Sequence, residues 1–121
     1  NAATTTGAMS GLNGDATADF FSFGASTGDR IAVISNNDPD ADTNFTDVEI
    51  TILDTDGTTV LANEAPFSVT AHNAAAATAI NSGTHFVSIT DGGSGTDTDY
   101  TFVIIGPDGL LPVELKNFSI D

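Results

Sequence analysis

The stretch that most constrains the fold is VEITILDTDG, residues 48–57. Its first part alternates apolar and polar side chains, a period of two that is typical of a strand with one buried face. The run stops at an Asp/Gly-rich turn, residues 54–57, which we expect to reverse the chain into TTVLA at residues 58–62. The sequence therefore predicts a β-hairpin at the centre of the chain.

Four other segments show the same alternation: 19–23, 30–35, 84–90 and 100–105. Loops rich in Gly, Asn and Asp separate them, so the sequence predicts an all-β fold, an antiparallel β-sandwich. Residues 71–81 are short of large apolar side chains, and they are predicted as a strand or an irregular connection. The shared strand parity predicts a core made of Phe21, Phe23, Ile31, Val33, Val48, Ile50, Ile52, Val87, Ile89, Phe102 and Ile104.

The length of 121 residues suits one domain with one core. Residues 1–18, rich in small and polar residues, are predicted as an extended N-terminal arm; the alternative is a disordered leader. Residues 19–109 are predicted to form the sandwich, and residues 110–121 a C-terminal strand or arm. Because the chain begins at Asn1 rather than Met, we expect a processed form.

The charge of the chain excludes several classes of partner. The chain has 17 acidic residues and only two basic residues, Arg30 and Lys116, so its formal net charge is −15. Such a chain repels nucleic acid and anionic membranes but attracts cations. It has no cysteine, and no apolar run approaches the roughly 20 residues of a membrane span. We therefore expect no nucleic-acid partner, no disulfide and no membrane span.

Three blocks taken together carry a family resemblance: ADFFSFGASTGDRIAVIS (18–35), VEITILDTDGTTVLAN (48–63) and SGTHFVSITDGGSGTDTDYTFVI (82–104). In this order they resemble the bacterial pre-peptidase C-terminal (PPC) domain, which is similar to the collagen-binding domains of secreted collagenases. The resemblance implies a noncatalytic, extracellular, jelly-roll-like sandwich, often an accessory module of secreted hydrolases, and some members bind calcium. His85 stands where the family usually has Tyr, and no aromatic surface of the collagen-binding type is identifiable.

The tail LPVEL at residues 111–115, with the residues after it, resembles a segment near the ends of many proteins exported by type IX secretion. The resemblance implies an extracellular or cell-surface location. The segment is apolar on both faces of an extended strand, which indicates burial between its own domain and a neighbouring copy. The alternatives are that the tail completes its own sheet or is the remnant of a removed domain. The predicted self-assembly residues are Leu111, Val113, Leu115, Phe118 and Ile120.

A candidate cation site lies in the loop DPDADTN, where oxygen ligands recur at every second residue: Asp38, Asp40, Asp42 and Asn44. Calcium prefers such hard oxygen ligands. A complete EF-hand is disfavoured, because Thr43 replaces the glycine of the sharp turn and Pro39 stiffens the loop. The alternative is a solvated acidic loop.

Catalysis would need one of the two histidines beside an activated serine, and the chain contains no G-x-S-x-G. His85 has the strand parity of the apolar residues that follow it, so we expect a packing histidine. His72 lies in a polar stretch and is expected to be exposed. The sequence therefore predicts that the protein is not an enzyme.

Two functions remain. The first is a structural subunit, a homo-oligomer or polymer that forms a fibre or surface filament. The second is an accessory module of a secreted hydrolase that contacts a polysaccharide or a cell surface. Such a module needs an exposed aromatic platform, and a chain with no Trp and one Tyr can hardly build one. The composition therefore favours the structural subunit.

Overall fold

The computed structural model describes residues 4–6, 9–10, 19–38, 41, 48–64, 71–91 and 100–116. These residues form strands and turns, and no helix that could cross a membrane occurs among them. The strands are β1 (Thr4–Thr6), β2 (Met9–Ser10), β3 (Asp19–Ala25), β4 (Arg30–Asn36), β5 (Val48–Leu53), β6 (Val60–Glu64), β7 (His72–Thr78), β8 (Gly83–Asp91), β9 (Thr101–Gly106), β10 (Gly109–Leu110) and β11 (Pro112–Lys116).

The strands build two antiparallel sheets. The six-stranded sheet has the order β1-β11-β3-β8-β5-β6. The five-stranded sheet has the order β10-β9-β4-β7, and β2 also pairs with β9. Their apolar faces meet in one core, so the predicted all-β sandwich is confirmed.

The central hairpin forms as predicted, from β5 and β6. The N–H of Gly57 donates to the Asp54 carbonyl at 2.9 Å, and Gly57 has a φ of 74°, a conformation that favours glycine. Thr59 donates its hydroxyl and its N–H to the exposed carboxylate of Asp56, and Thr58 donates its N–H. These bonds, above all the one from the Thr59 hydroxyl, lower the pKa of Asp56 to about 2.

The core contains every residue that the strand parity predicts. Each sheet contributes one large ring to its centre: the rings of Phe21 and Phe102 meet edge to face, with centroids 4.6 Å apart. The buried residues shared by prediction and structure are Phe21, Phe23, Ile31, Val33, Val48, Ile50, Ile52, Val87, Ile89, Phe102 and Ile104.

The two ends of the sandwich differ. At the tight-turn end, short turns at residues 26–29, 54–59, 79–82 and 107–108 connect successive strands. At the loop end lie the last residues of β4, β6 and β8 and the first residues of β5, β7 and β9. The interstrand segments 37–47, 65–71 and 92–99 carry six Asp residues and no Lys or Arg. The interstrand charge is therefore more acidic at the loop end.

The structure refines the predictions for two segments. Residues 71–81, predicted as a strand or an irregular connection, contain the regular strand β7. The single extended segment predicted at residues 110–121 begins at the last residue of β10, in one sheet, and continues as β11 in the other.

Candidate functional site

The terminal strands lie together at one edge of the six-stranded sheet. β11 lies between β3 and β1, with Leu115 opposite Phe21 and Thr4 opposite Glu114. Val113 is fully buried and belongs to the hydrophobic core. The edge of this sheet therefore depends on both terminal regions of the chain.

The chain changes sheets at Leu111, the one residue between β10 and β11. Its N–H donates to the Ile104 carbonyl at 2.9 Å, and its side chain lies over Gly106. A Cβ at position 106 would come within 3.0 Å of Leu111 Cδ2, so the missing side chain of Gly106 makes room for the crossing.

The predicted self-assembly residues are placed as follows. Leu111 is half-buried, Val113 is buried, and the backbone of Leu115 pairs with β3. Phe118 and Ile120 lie outside the described residues. Within one chain, β11 completes the sheet of its own domain, which was one of the alternatives given for the tail. Self-assembly stays a prediction.

The predicted cation site is only partly within the described residues. Asp38 follows the end of β4, whereas Asp40, Asp42 and Asn44 lie outside. The described part of the chain holds no group of three or more His, Cys, Asp or Glu side chains that could bind a metal ion. The calcium site therefore stays a prediction.

A buried polar network holds the base of this loop, and the sequence reasoning missed it. The Ser35 hydroxyl donates to Asn37 Oδ1 at 2.7 Å, and Asn37 Nδ2 donates to Asn73 Oδ1. Asn73 Nδ2 in turn donates to Glu64 Oε2 at 3.0 Å. The signal was present in the sequence, because Ser35 and Asn37 continue the inward parity of the apolar residues of β4.

One oxygen of this network has no visible partner. Glu64 Oε1 is buried and accepts no hydrogen bond from the residues that the structure describes. Asn37 is fully buried, and its N–H donates to the Ala71 carbonyl at 2.8 Å. The network therefore fixes the first residue after β4 and the residue before β7 relative to each other, at the start of the acidic segment.

His85 is a packing histidine, as predicted. It is fully buried and stacks on Phe23, with ring centroids 5.7 Å apart. Nδ1 donates to the Gly83 carbonyl at 3.1 Å, and Nε2 lies 3.6 Å from Asp54 Oδ1. Asp54 also accepts a hydrogen bond from Asn81 Nδ2 at 2.8 Å. Nδ1 is thus hydrogen-bonded, whereas the buried Nε2 has no hydrogen-bond partner among the described residues. The Asp54–Asn81 bond beside the ring links two turns of the sandwich.

His72 is exposed, as predicted, and its Nδ1 lies 3.2 Å from the Ser35 carbonyl oxygen. It lies at the start of β7 beside the last residues of β4. The two histidines are therefore at opposite ends of the sandwich, and they form no joint site.

Tyr100, the only tyrosine of the chain, is buried and donates its hydroxyl to Asp19 Oδ2 at 2.6 Å. Burial is the main cause that raises the pKa of Tyr100 far above its usual value, and the bond to Asp19 and its charge add to the effect. Because the pKa is raised in the folded state, this contribution to stability is complete below the unfolded pKa of about 10 and is lost as the pH rises above it.

We therefore expect the tyrosinate absorbance to stay absent in the folded protein above pH 10 and to appear only together with unfolding. An alkaline titration followed by absorbance and circular dichroism checks this result. The Asp19→Asn variant, which keeps the burial but removes the charge, should ionise and unfold at lower pH. A tyrosine that titrates near pH 10 in a fully folded protein would contradict the buried hydrogen bond.

No known protein-family model matches this chain, and no curated protein sequence matches it. The resemblance to PPC domains therefore stays a prediction based on the three sequence blocks.

Proposed function

We propose that this protein is a noncatalytic, extracellular structural subunit that assembles into a filament by exchanging its terminal strand β11. One observation carries the proposal: β11 contributes Val113 to the core, yet its covalent connection to β10 is the single residue Leu111. A neighbour's β11 has the same sequence, so it makes the same contacts in the same place. Exchange of identical elements is a low-cost route to association.

The geometry of the exchange favours an open polymer. Each subunit donates β11 and accepts another β11 beside β3, so the donor and acceptor surfaces differ. Such a heterologous contact propagates as a filament unless its rotation closes a ring. Main-chain hydrogen bonds to β3 supply affinity, and the pocket of Val113 in the core supplies specificity.

The extracellular location rests on the resemblance of the three blocks to PPC domains and of the tail to type IX secretion substrates. The strongly acidic composition is compatible with an exposed, repetitive assembly that needs cations to offset its charge. The accessory-module function has less support, because the exposed large apolar residues of the described part, Ile34, Val60 and Ile80, include no aromatic ring.

Removal of residues 111–121 is the direct test of this proposal. We expect the intact protein to form filaments at high concentration with calcium, and the truncated protein to form none, by electron microscopy and light scattering. A synthetic peptide of residues 110–121, added in trans, should restore the folded domain but not the filament. The matched peptide carrying Val113→Asp should restore neither.

Two results would contradict the proposal. One is that the truncated protein forms the same filaments as the intact protein. The other is that the intact protein stays monomeric at high concentration with calcium.

A calcium ion at Asp38, Asp40, Asp42 and Asn44 is part of this proposal. The support is the spacing of the oxygen ligands together with the buried hydrogen bonds of Ser35 and Asn37, directly before the loop segment. Binding to the folded state alone stabilises by mass action, about 2.7 kcal/mol when calcium is at 100 times its dissociation constant.

We therefore expect calcium to raise the melting temperature and a chelator to reverse the increase. The Asp40→Asn/Asp42→Asn variant should lose this response, whereas the matched variant Asp29→Asn/Asp108→Asn, at the tight-turn end, should keep it. If calorimetry detects no calcium binding and the chelator leaves the melting temperature unchanged, the loop is merely solvated.

A further inference from the structure

The connection between β10 and β11 is the place where a closed chain and a strand-exchanged chain differ. The contacts of β11 with β3 and with the core are the same whether the strand belongs to its own chain or to a neighbour. The connection at Leu111 returns to its own domain in the closed form and leads to a neighbour in the exchanged form. Interactions of Leu111 therefore shift the balance between the two forms, whereas the contacts common to both do not.

In the closed chain, β9 holds Leu111 at two points. The Leu111 N–H donates to the Ile104 carbonyl at 2.9 Å, and the Leu111 side chain lies over the buried Gly106. The side chain is half-buried and packs against the hydrophobic core. Because Pro112 follows, Leu111 is restricted to extended backbone conformations, and the connection is stiff.

The Leu111 side chain has room because residue 106 is a glycine. A Cβ at this position would lie 3.0, 3.1 and 3.2 Å from Cδ2, Cδ1 and Cγ of Leu111. All three atoms at the branch of the side chain are involved, so the whole side chain would have to move. Gly106 has no positive φ, and its backbone conformation is therefore open to alanine. Space, rather than backbone conformation, is what requires glycine here.

We propose that the contact of Leu111 with Gly106 is a latch that holds β11 on its own domain, and that loss of this contact shifts the chain toward strand exchange. The inference rests on the strand exchange proposed above, and it names the contact that regulates the exchange. Short connections under strain invite exchange between subunits. Gly106 keeps the one-residue connection free of such strain, so a single subunit can close on itself.

A pair of glycine substitutions isolates the latch. Gly106→Ala and Gly24→Ala make the same change within a strand, and neither glycine has a positive φ, so the backbone effects of the two substitutions are alike. A Cβ at position 24 would meet nothing within 4 Å, whereas one at position 106 displaces Leu111. We expect Gly106→Ala to raise the ratio of exchanged to closed chains about fivefold or more, and Gly24→Ala to leave it unchanged.

Disulfide trapping measures this ratio. Ser22 and Glu114 are opposite one another in the β3–β11 pair, so the Ser22→Cys/Glu114→Cys background gives an internal bond in a closed chain and a bond between chains after exchange. Each variant is assembled at high concentration with calcium under reducing conditions and then oxidised, and a non-reducing gel gives the share of linked chains. Equal shares for Gly106→Ala and Gly24→Ala would overturn the latch.

A double variant shows whether the effect of Gly106→Ala acts through Leu111. Leu111→Ala removes the atoms that an alanine at position 106 would contact. In the Leu111→Ala background, Gly106→Ala should therefore leave the share of linked chains unchanged. An effect as large as in the presence of the leucine would contradict the latch.

Amide hydrogen exchange of dilute, monomeric chains separates the latch from strand exchange itself. We expect the amides of β11 to exchange about fivefold faster in Gly106→Ala than in Gly24→Ala, whereas the amides of β5 and β8 exchange alike in both. If this difference is found but no variant yields linked chains, the strand-exchange proposal fails and the latch remains. If linked chains form equally in both variants and the amides of β11 do not differ, the latch alone is overturned.

Discussion

Replacement of Val113 by aspartate is expected to remove most of the stability of the domain and to abolish filaments. Val113 is fully buried among the core residues of both sheets, and a carboxylate there would lose its hydration without gaining a partner. The loss amounts to several kcal/mol, a large part of the 5–15 kcal/mol that holds a typical domain together. Val113→Ala, which leaves only a small cavity, should cost about 1.5–3 kcal/mol.

Denaturant unfolding followed by circular dichroism measures both losses. The matched control is Val60→Asp, which makes the same chemical change at a side chain that is 55 % exposed. Its effect should stay within about 0.5 kcal/mol. If Val113→Asp and Val60→Asp are equally stable, β11 does not occupy the core position that the strand exchange requires.

The second large effect is expected at the contact between the two sheets. Phe21→Ala should lower the free energy of unfolding by about 3–5 kcal/mol, because it opens a cavity where the Phe21 ring meets Phe102. Phe20→Ala makes the same change at the neighbouring, half-buried position of β3, and its effect should be clearly smaller.

A double-mutant cycle between Phe21 and Phe102 should give a coupling of about 0.5–1.5 kcal/mol, typical of an aromatic pair. A loss below 1 kcal/mol for Phe21→Ala, or a loss equal to that of Phe20→Ala, would contradict the assignment of the inner face of β3.

The alternation of apolar and polar residues was sufficient to predict the strands and their buried faces. In β5, Val48, Ile50 and Ile52 all point inward because side chains alternate across a strand, and this rule needs no knowledge of the partner strands. The turn at residues 54–57 could be predicted because Asp and Gly favour that backbone conformation. Local physics therefore determines these elements.

Strand order and the sheet change could not be predicted in the same way. A period of two does not say which strands are neighbours, so nothing in β11 alone places it between β1 and β3. The crossing at Leu111 depends on the space above Gly106, a contact that exists only after β9 and β10 have paired.

A parity rule based on apolar residues does not predict the buried polar residues. Asn37 and Asn73 are polar, and they occupy inward positions because they form hydrogen bonds with each other and with Ser35. A search for amide and hydroxyl side chains at inward positions would have found both, since buried polar groups need hydrogen-bond partners. Such a search could not have identified Glu64, whose strand alternates less regularly.

The central claim, exchange of β11 between subunits, can be tested in a chain without native cysteine. Ser22 and Glu114 are opposite one another in the β3–β11 pair, so the Ser22→Cys/Glu114→Cys variant forms a disulfide wherever β11 lies beside β3. If the variant is assembled under reducing conditions and then oxidised, exchange predicts a ladder of covalently linked subunits on a non-reducing gel. The control Thr51→Cys/Ser88→Cys, within the β5–β8 pair, should give only monomers from the same assemblies. Filaments of the Ser22→Cys/Glu114→Cys variant that yield only internally bonded monomers would contradict strand exchange.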